Sequence, residues 1–256
     1  MIELNKEKEQ HLLVNVKILG GGLNEVEITK NDKVIDIGAA NGGLTEELAK
    51  KAKEVLAFET DVRFKEDLDR LSKKYTNIKL IYGNALDYSW QGFNKIVSNI
   101  PFSLSAAIIE RAIVEDIEEL NLIVGEHFKE LLDSNEKIGL ITRLFFYVKP
   151  ITELDKKNFF PEPKVKSWLV KLKLKKDVDE TLQDRILKKI VMDDRKIKNS
   201  VIYAFVAEGF TKNQARDFIL KQKFEDSVLD KPTNRMTGKF MLRLRDALEN
   251  LPIKTS

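Results

Sequence analysis

The chain has 256 residues, 43% of them hydrophobic, and 44 basic against 41 acidic side chains give a net charge of +3; this length accommodates one large and one small domain. It has no cysteine and two histidines, His11 and His127, which excludes disulfides, thiolate metal sites and a cysteine nucleophile and argues against a multi-histidine centre, so no metal is expected. No apolar run reaches the roughly 18 residues of a membrane span and no apolar leader core is seen, so a cytoplasmic protein without membrane contact is expected.

In chain order, residues 1–12 read as polar and irregular. Leu12 to Leu19 reads as an amphipathic segment stopped by Gly20-Gly21-Gly22. Lys33 to Ile37 is a short buried strand. It runs into the glycine turn Gly38-Ala39-Ala40-Asn41-Gly42-Gly43 and a helix beginning at Leu44. A second strand, Val55 to Phe58, closes on Glu59, and a charged helix covers Val62 to Lys74. Ile78 to Tyr82 is a third strand ending in Gly83-Asn84-Ala85. Lys95 to Ser98 is a fourth, delivering Asn99-Ile100-Pro101-Phe102. After a helix over Ser105 to Val114, Leu120 to Val124 forms a fifth strand and Glu126 to Leu132 a helix. Gly139 to Val148 reads as a long strand and Leu154 to Pro163 as a loop. Lys166 to Lys175 alternates apolar residues with lysine as a half-exposed strand, and the two strands should pair antiparallel at one sheet edge. Beyond Asp177 the pattern is helical, over about 181–192, 197–207, 213–221 and 238–249.

Strands alternating with helices predict a mainly parallel sheet with helices on both faces, and ligands of such sheets bind beyond the carboxyl ends of the strands. Gly38, Glu59, Asn84 and Asn99 each follow a separate strand. The glycine turn lets a backbone approach a ligand at a helix N-terminus, yet it lacks the Gly-Lys-Ser/Thr ending of a phosphate-binding loop. A carboxylate at Glu59 can accept from ribose hydroxyls; otherwise it caps a surface helix, a task Asp61 suits better. Asn84 can meet an adenine edge, and by itself reads equally as a turn residue. Asn99 offers an amide oxygen beside a proline-restricted backbone, and Phe102 can stack on a flat base. His127 reads as a surface or packing residue. The three excess positive charges fall in residues 177–256, which hold 16 Lys/Arg and 13 Asp/Glu, while Lys164 to Lys176 carries six lysines and no acid. Such a local strip bears on phosphate binding more than the total does.

These residues resemble the class I S-adenosylmethionine-dependent methyltransferases, and more closely the ribosomal RNA adenine N6-dimethyltransferase family, which includes the Erm resistance enzymes. Gln10-His11-Leu12-Leu13 is similar to the family's N-terminal Gln-(Asn/His)-Phe-Leu, and Asp36 to Thr45 to its glycine motif. Gly83-Asn84-Ala85-Leu86 is similar to Gly-Asp-Ala-Leu. Asn99 to Phe102 matches Asn-(Leu/Ile)-Pro-(Tyr/Phe), and Phe159 to Val165 resembles Phe-Tyr-Pro-x-Pro-Lys-Val. Arg195-Lys196-Ile197-Lys198-Asn199 resembles a basic run of the C-terminal domain. Ala40 departs from the middle glycine, Asn84 from an aspartate, and Lys137 to Ile141 lacks the arginine of the usual Tyr-Gly-Arg-Leu-Ser.

The resemblance implies a Rossmann-like α/β sheet, parallel with an antiparallel edge hairpin, over residues 1–176, and a small all-α RNA-binding domain over 177–256. It implies that His11, Leu13, Gly38, Glu59, Asn84 and Asn99 would line the S-adenosylmethionine site. Asn99, Pro101 and Phe102 would hold the target adenine, and Lys164, Lys166, Lys171, Lys173, Arg195, Lys196 and Lys198 would hold RNA. The expected activity is N6-methylation, as dimethylation, of adenine in small-subunit ribosomal RNA by a monomer acting on the ribosomal RNA or the small-subunit precursor. The alternatives are a weak or inactive RNA-binding assembly factor that keeps the fold, or a paralogue methylating a different RNA.

Overall fold

The structure is a computed structural model that describes residues 12–13, 26–100, 102–175 and 181–251, with the backbone alone at Phe102. The chain divides into two compact units, one of residues 1–130 and 146–174 and the other of residues 131–145 and 175–256. The division expected at 176/177 differs from this partition in residues 131–145 and at the strand's end. Among the described residues no helix is long and apolar enough to cross a membrane.

The first unit is built on strands β2 (Lys33–Ile37), β3 (Glu54–Glu59), β4 (Ile78–Tyr82), β5 (Lys95–Asn99), β6 (Glu119–Gly125), β7 (Phe146–Leu154) and β9 (Ser167–Leu174), in the sheet order β4-β3-β2-β5-β6-β9-β7. The first five pair in parallel, and β9 runs antiparallel between β6 and the edge strand β7. Every residue of β6 is buried, as a central strand covered on both faces requires. The helices of this unit are α1 (Gly43–Lys51), α2 (Lys65–Lys74) and α3 (Ser105–Val114), and α4 (Glu126–Asp133) carries the chain towards the second unit. The core combines Val34, Leu44, Leu48, Val55, Val97, Ile123 and Leu169 from these elements.

Three expectations need correction. Leu12–Leu13 is a short strand, β1, rather than a helix start. It pairs antiparallel with β8 (Phe159–Phe160), inside the segment expected as loop. The remainder of that N-terminal segment lies outside the described residues. The expected strand from Gly139 to Val148 is instead helix α5 (Lys137–Phe145), followed by β7. A short, mostly apolar run does not reveal its own period. Gly139 packs so tightly beneath the preceding turn that a Cβ there would overlap the carbonyls of Leu131 and Ser134.

The second unit contains α5, α6 (Leu182–Val191), α7 (Ile197–Ala207), α8 (Lys212–Lys221), the single turn α9 (Asp226–Leu229) and α10 (Gly238–Glu249). Their starts are written in the sequence. Thr181, Thr211 and Thr237 each cap a helix by accepting a backbone N–H, and Thr211 forms a full capping box with Gln214. Phe205, Phe218, Phe224 and Phe240 stack in a chain of tilted and edge contacts between 4.8 and 6.4 Å that fills the interior.

Candidate active site

Sheet order reverses between β2 and β5, which leaves a crevice at the carboxyl ends of the two strands. Their ladder runs through the pairs Val34↔Lys95 and Ile35↔Ile96. Beyond it the buried Ser98 bridges the gap. Its hydroxyl accepts from Ile37 N–H at 3.0 Å and donates to the Ile37 carbonyl at 2.5 Å. Above that bridge the strands diverge into Gly38 on one side and Asn99 on the other.

Gly38 has φ +79°, and a Cβ placed on it would lie 3.9 Å from the Asn99 carbonyl. The position is a glycine because of the left-handed backbone, and the absent side chain leaves room at the crevice mouth. The N–H groups of Gly38 and Ala39 both donate to the Phe58 carbonyl, at 2.8 and 2.9 Å. Ala40 also takes a positive φ, +50°, so the alanine that departs from the family's glycine adopts a conformation glycine would take with less strain. Gly42, at φ +83°, then starts α1.

Glu59 ends β3 with 7% exposure. Its Oε2 accepts from Ala40 N–H at 2.7 Å, and its Oε1 accepts from Thr60 and Asp61 N–H at 2.8 and 2.7 Å. The carboxylate therefore holds the glycine loop in place. Capping belongs to Asp61, which accepts from Arg63 N–H at the start of the next turn. Asn84, exposed after β4, caps the turn Ala85–Asp87 by accepting from Leu86 N–H at 3.2 Å. Asn99 is half-buried at the end of β5, aligned with Ile123 of β6.

Beneath the loop, Asp36 is 1% exposed and accepts from the Thr45 hydroxyl at 2.7 Å. Burial pushes its carboxyl up to about 7 and the nearby Glu59 charge adds to this, while the hydrogen bond from Thr45 opposes it.

Gly38, Glu59 and Asn99 thus surround one crevice, with Asn84 at the end of the next strand out. Leu13 is buried in one core cluster with Val34, Leu44, Leu154 and Phe159, and its neighbour Leu12 packs, as Ala40 does, against the cluster of Ala39, Ala57, Phe64 and Leu68. The β1–β8 ladder therefore brings the N-terminal motif onto the glycine loop. His11, Pro101 and the side chain of Phe102 lie outside the described residues. His127 is exposed.

The expected RNA contacts are mostly neutralised. Lys166 pairs with Glu153 at 2.9 Å, Lys171 approaches Glu119 at 3.8 Å, Arg195 pairs with Asp193 at 2.7 Å and Lys196 approaches Asp230 at 3.4 Å. Arg195 also stacks on Tyr203 at 4.0 Å. Lys164, Lys173 and Lys198 are exposed. Sequence reasoning assigned no role to Ser98, Asp36 or Tyr88. Tyr88 lies so close to Gly83 that a Cβ there would come within 2.9 Å of its ring, and it tilts against Phe58 at 5.8 Å. Its one sequence signal was an aromatic shortly after a strand-end turn.

A family model described as ribosomal RNA adenine dimethylase matches residues 1–231. A Pyrococcus abyssi protein named probable ribosomal RNA small subunit methyltransferase A is 30% identical over 207 residues, 78% of this chain and 76% of that protein. A Methanococcus maripaludis protein of the same name is 30% identical over 236 residues, covering 86% and 90%. Among solved structures, a dimethyladenosine transferase from Plasmodium falciparum matches with a TM-score of 0.64 over 91% of this chain and 96% of that one. At 22% identity this likeness speaks to the fold alone.

Proposed function

This chain belongs to the ribosomal RNA adenine dimethylase family, and from that premise we propose that it transfers methyl groups from S-adenosylmethionine to N6 of an adenine in small-subunit ribosomal RNA, adding two. The observation that carries the reading is the crevice between β2 and β5, with Gly38 and Asn99 at its two lips and Glu59 beside it. A nucleoside-bearing donor fits these residues. Gly38 admits close backbone approach. Glu59 accepts one N–H on Oε2 and keeps capacity there for a ribose hydroxyl. Asn84 Oδ1 accepts from Leu86 and has a lone pair left for an adenine amine. When bound, S-adenosylmethionine supplies a methyl group already activated on a sulfonium centre.

The chain's own residues then have a positioning task. The N6 lone pair of adenine is delocalised into the ring. Accepting both amine hydrogens, at the Asn99 side-chain oxygen and the Ile100 carbonyl, localises that pair and aims it. Phe102 stacks on the base, worth about 1–3 kcal/mol. The proton becomes acidic once the nitrogen bears the methyl, so no strong base is required. The base must leave its stack to enter.

The test is methyl incorporation from labelled donor into small-subunit RNA that lacks the modification. Incorporation at adenine N6 is expected. RNA binding with no incorporation would overturn the enzymatic reading in favour of an RNA-binding assembly role.

A further inference from the structure

The helical unit holds an open cleft of about 500 Å³ whose lining includes Asn135, Leu140, Arg143, Lys175, Asp184 and Arg245. Three of these are cations and one is a carboxylate. All belong to the second unit, well separated in sequence from the Arg195–Lys198 run.

Two of the cations donate to backbone carbonyls. The Arg143 guanidinium donates to the Leu132 carbonyl and, at 2.6 Å, to the Ser134 carbonyl. Lys175 Nζ donates to the Arg143 carbonyl at 2.7 Å. A carbonyl fixes a cation without cancelling its charge, whereas a carboxylate does both. That distinguishes Arg143 from Lys166, Arg195 and Lys196, each within reach of a carboxylate. Arginine has five donors, so Arg143 retains several for a ligand. Arg245, exposed on α10, makes only long charged contacts among the described residues, 3.4 Å to Asp246 and 3.7 Å to Glu249. Asp184, the one acid, accepts from the Thr181 hydroxyl.

One wall is also tightly packed. The turn after α4, which Arg143 grips, presses on Gly139 of α5 and on Gly238 of α10. At Gly238 a Cβ would overlap the Asn135 carbonyl. Arg143 is therefore held in place before any ligand arrives, which lowers the ordering cost of binding.

We propose that this cleft binds a backbone phosphate of the RNA substrate through Arg143, Lys175 and Arg245. This deepens the RNA-methylating reading and rests on its claim that RNA is bound. A phosphodiester is the fitting ligand because it brings one negative charge and several acceptor oxygens to converging donors, and it needs no base-specific wall.

The test uses the full chain and a small-subunit RNA fragment containing the target adenine, with affinity measured across a salt series. Arg245→Gln and Lys175→Gln are the primary variants, since Arg143→Gln would also release the turn it grips. Each lost phosphate contact should flatten the plot of log affinity against log salt by about 0.7–0.9. Over a fourfold rise in salt the wild type should then lose about threefold more affinity than either variant. Unchanged affinity and salt slope in both, with unaltered far-UV circular dichroism, would overturn the cleft. So would competition by inorganic phosphate that weakens in the variants while RNA affinity does not. Methyl transfer is scored separately. A wild type that binds RNA through the cleft yet transfers no methyl sinks the enzymatic reading and leaves the cleft standing. A wild type that methylates RNA while the variants bind it unchanged does the reverse.

Discussion

At the residue scale, the site follows from what each strand end carries. Asn99 sits half-buried beside the Gly38 turn, where its amide oxygen can accept from an amine. Asn99→Ala should lower the rate of methyl transfer by at least about 100-fold, the usual cost of removing one hydrogen bond aimed at developing charge. RNA affinity should change less than twofold; a transfer assay beside a binding assay checks both, and near-normal transfer would refute the role. Asp36 gives a pH prediction. Its folded pKa is raised to about 7 from a reference near 4, so between these values the folded state binds more protons than the unfolded state. Its contribution to stability is fully present below about pH 4 and is lost as pH rises to about 7. Asp36→Asn keeps an acceptor for Thr45 and carries no charge. It should flatten the pH dependence of unfolding between pH 4 and 7 and be the more stable form at pH 8, as denaturant titrations at pH 5 and 8 will report. The strand-end positions of Gly38, Glu59, Asn84 and Asn99 were legible because a glycine or polar residue closing an apolar strand stands out. The Ser98–Ile37 bridge and the Glu59–Ala40 bond were not, because each joins segments at least 19 residues apart.

At the element scale, α6, α7, α8 and α10 were read nearly to the residue, since threonine caps and a 3.6-residue period are local signals, whereas the single turn α9 was not foreseen. The stretch from Gly139 to Val148 was misread up to Phe145 because it is mostly apolar, interrupted only by Thr142 and Arg143, and so short a run does not reveal its own period. The turn after α4 explains both glycines that face it. Helix propensity alone says that Gly238→Ala, at the first position of α10, should stabilise by up to about 1 kcal/mol. The geometry says the opposite, because the added Cβ overlaps the backbone carbonyl of Asn135 and something must shift. Overpacking of this kind costs about 1–3 kcal/mol. Calorimetry should therefore show a lower unfolding temperature for Gly238→Ala, by a few degrees or more; an increase would mean that the turn yields freely and that the cleft it frames is not rigid. The pairing of β1 with β8 was equally invisible, since it joins two-residue strands at distant points in the chain.

At the scale of the whole molecule, a net charge of +3 spread over 256 residues does not by itself hold RNA, so the placement of unneutralised cations decides. Composition located the lysine strip from Lys164 to Lys176, but a count of lysines cannot say which of them keep their charge. Lys166 shares its charge with Glu153 at 2.9 Å, and a phosphate brought there meets a carboxylate as well as an ammonium. Lys164 is exposed two residues away, with no carboxylate contact among the described residues. If both line the RNA path, Lys164→Gln should reduce the salt slope of RNA binding by about 0.7–0.9, the value for one full phosphate contact, and Lys166→Gln by clearly less. Glu153→Gln, which frees Lys166, should steepen the slope and tighten binding. Equal effects from Lys164 and Lys166 would mean that the ion pair opens on binding at negligible cost, as exposed pairs worth under about 1 kcal/mol can. No effect from either would remove this strand from the RNA path and leave the helical unit to carry the phosphate contacts.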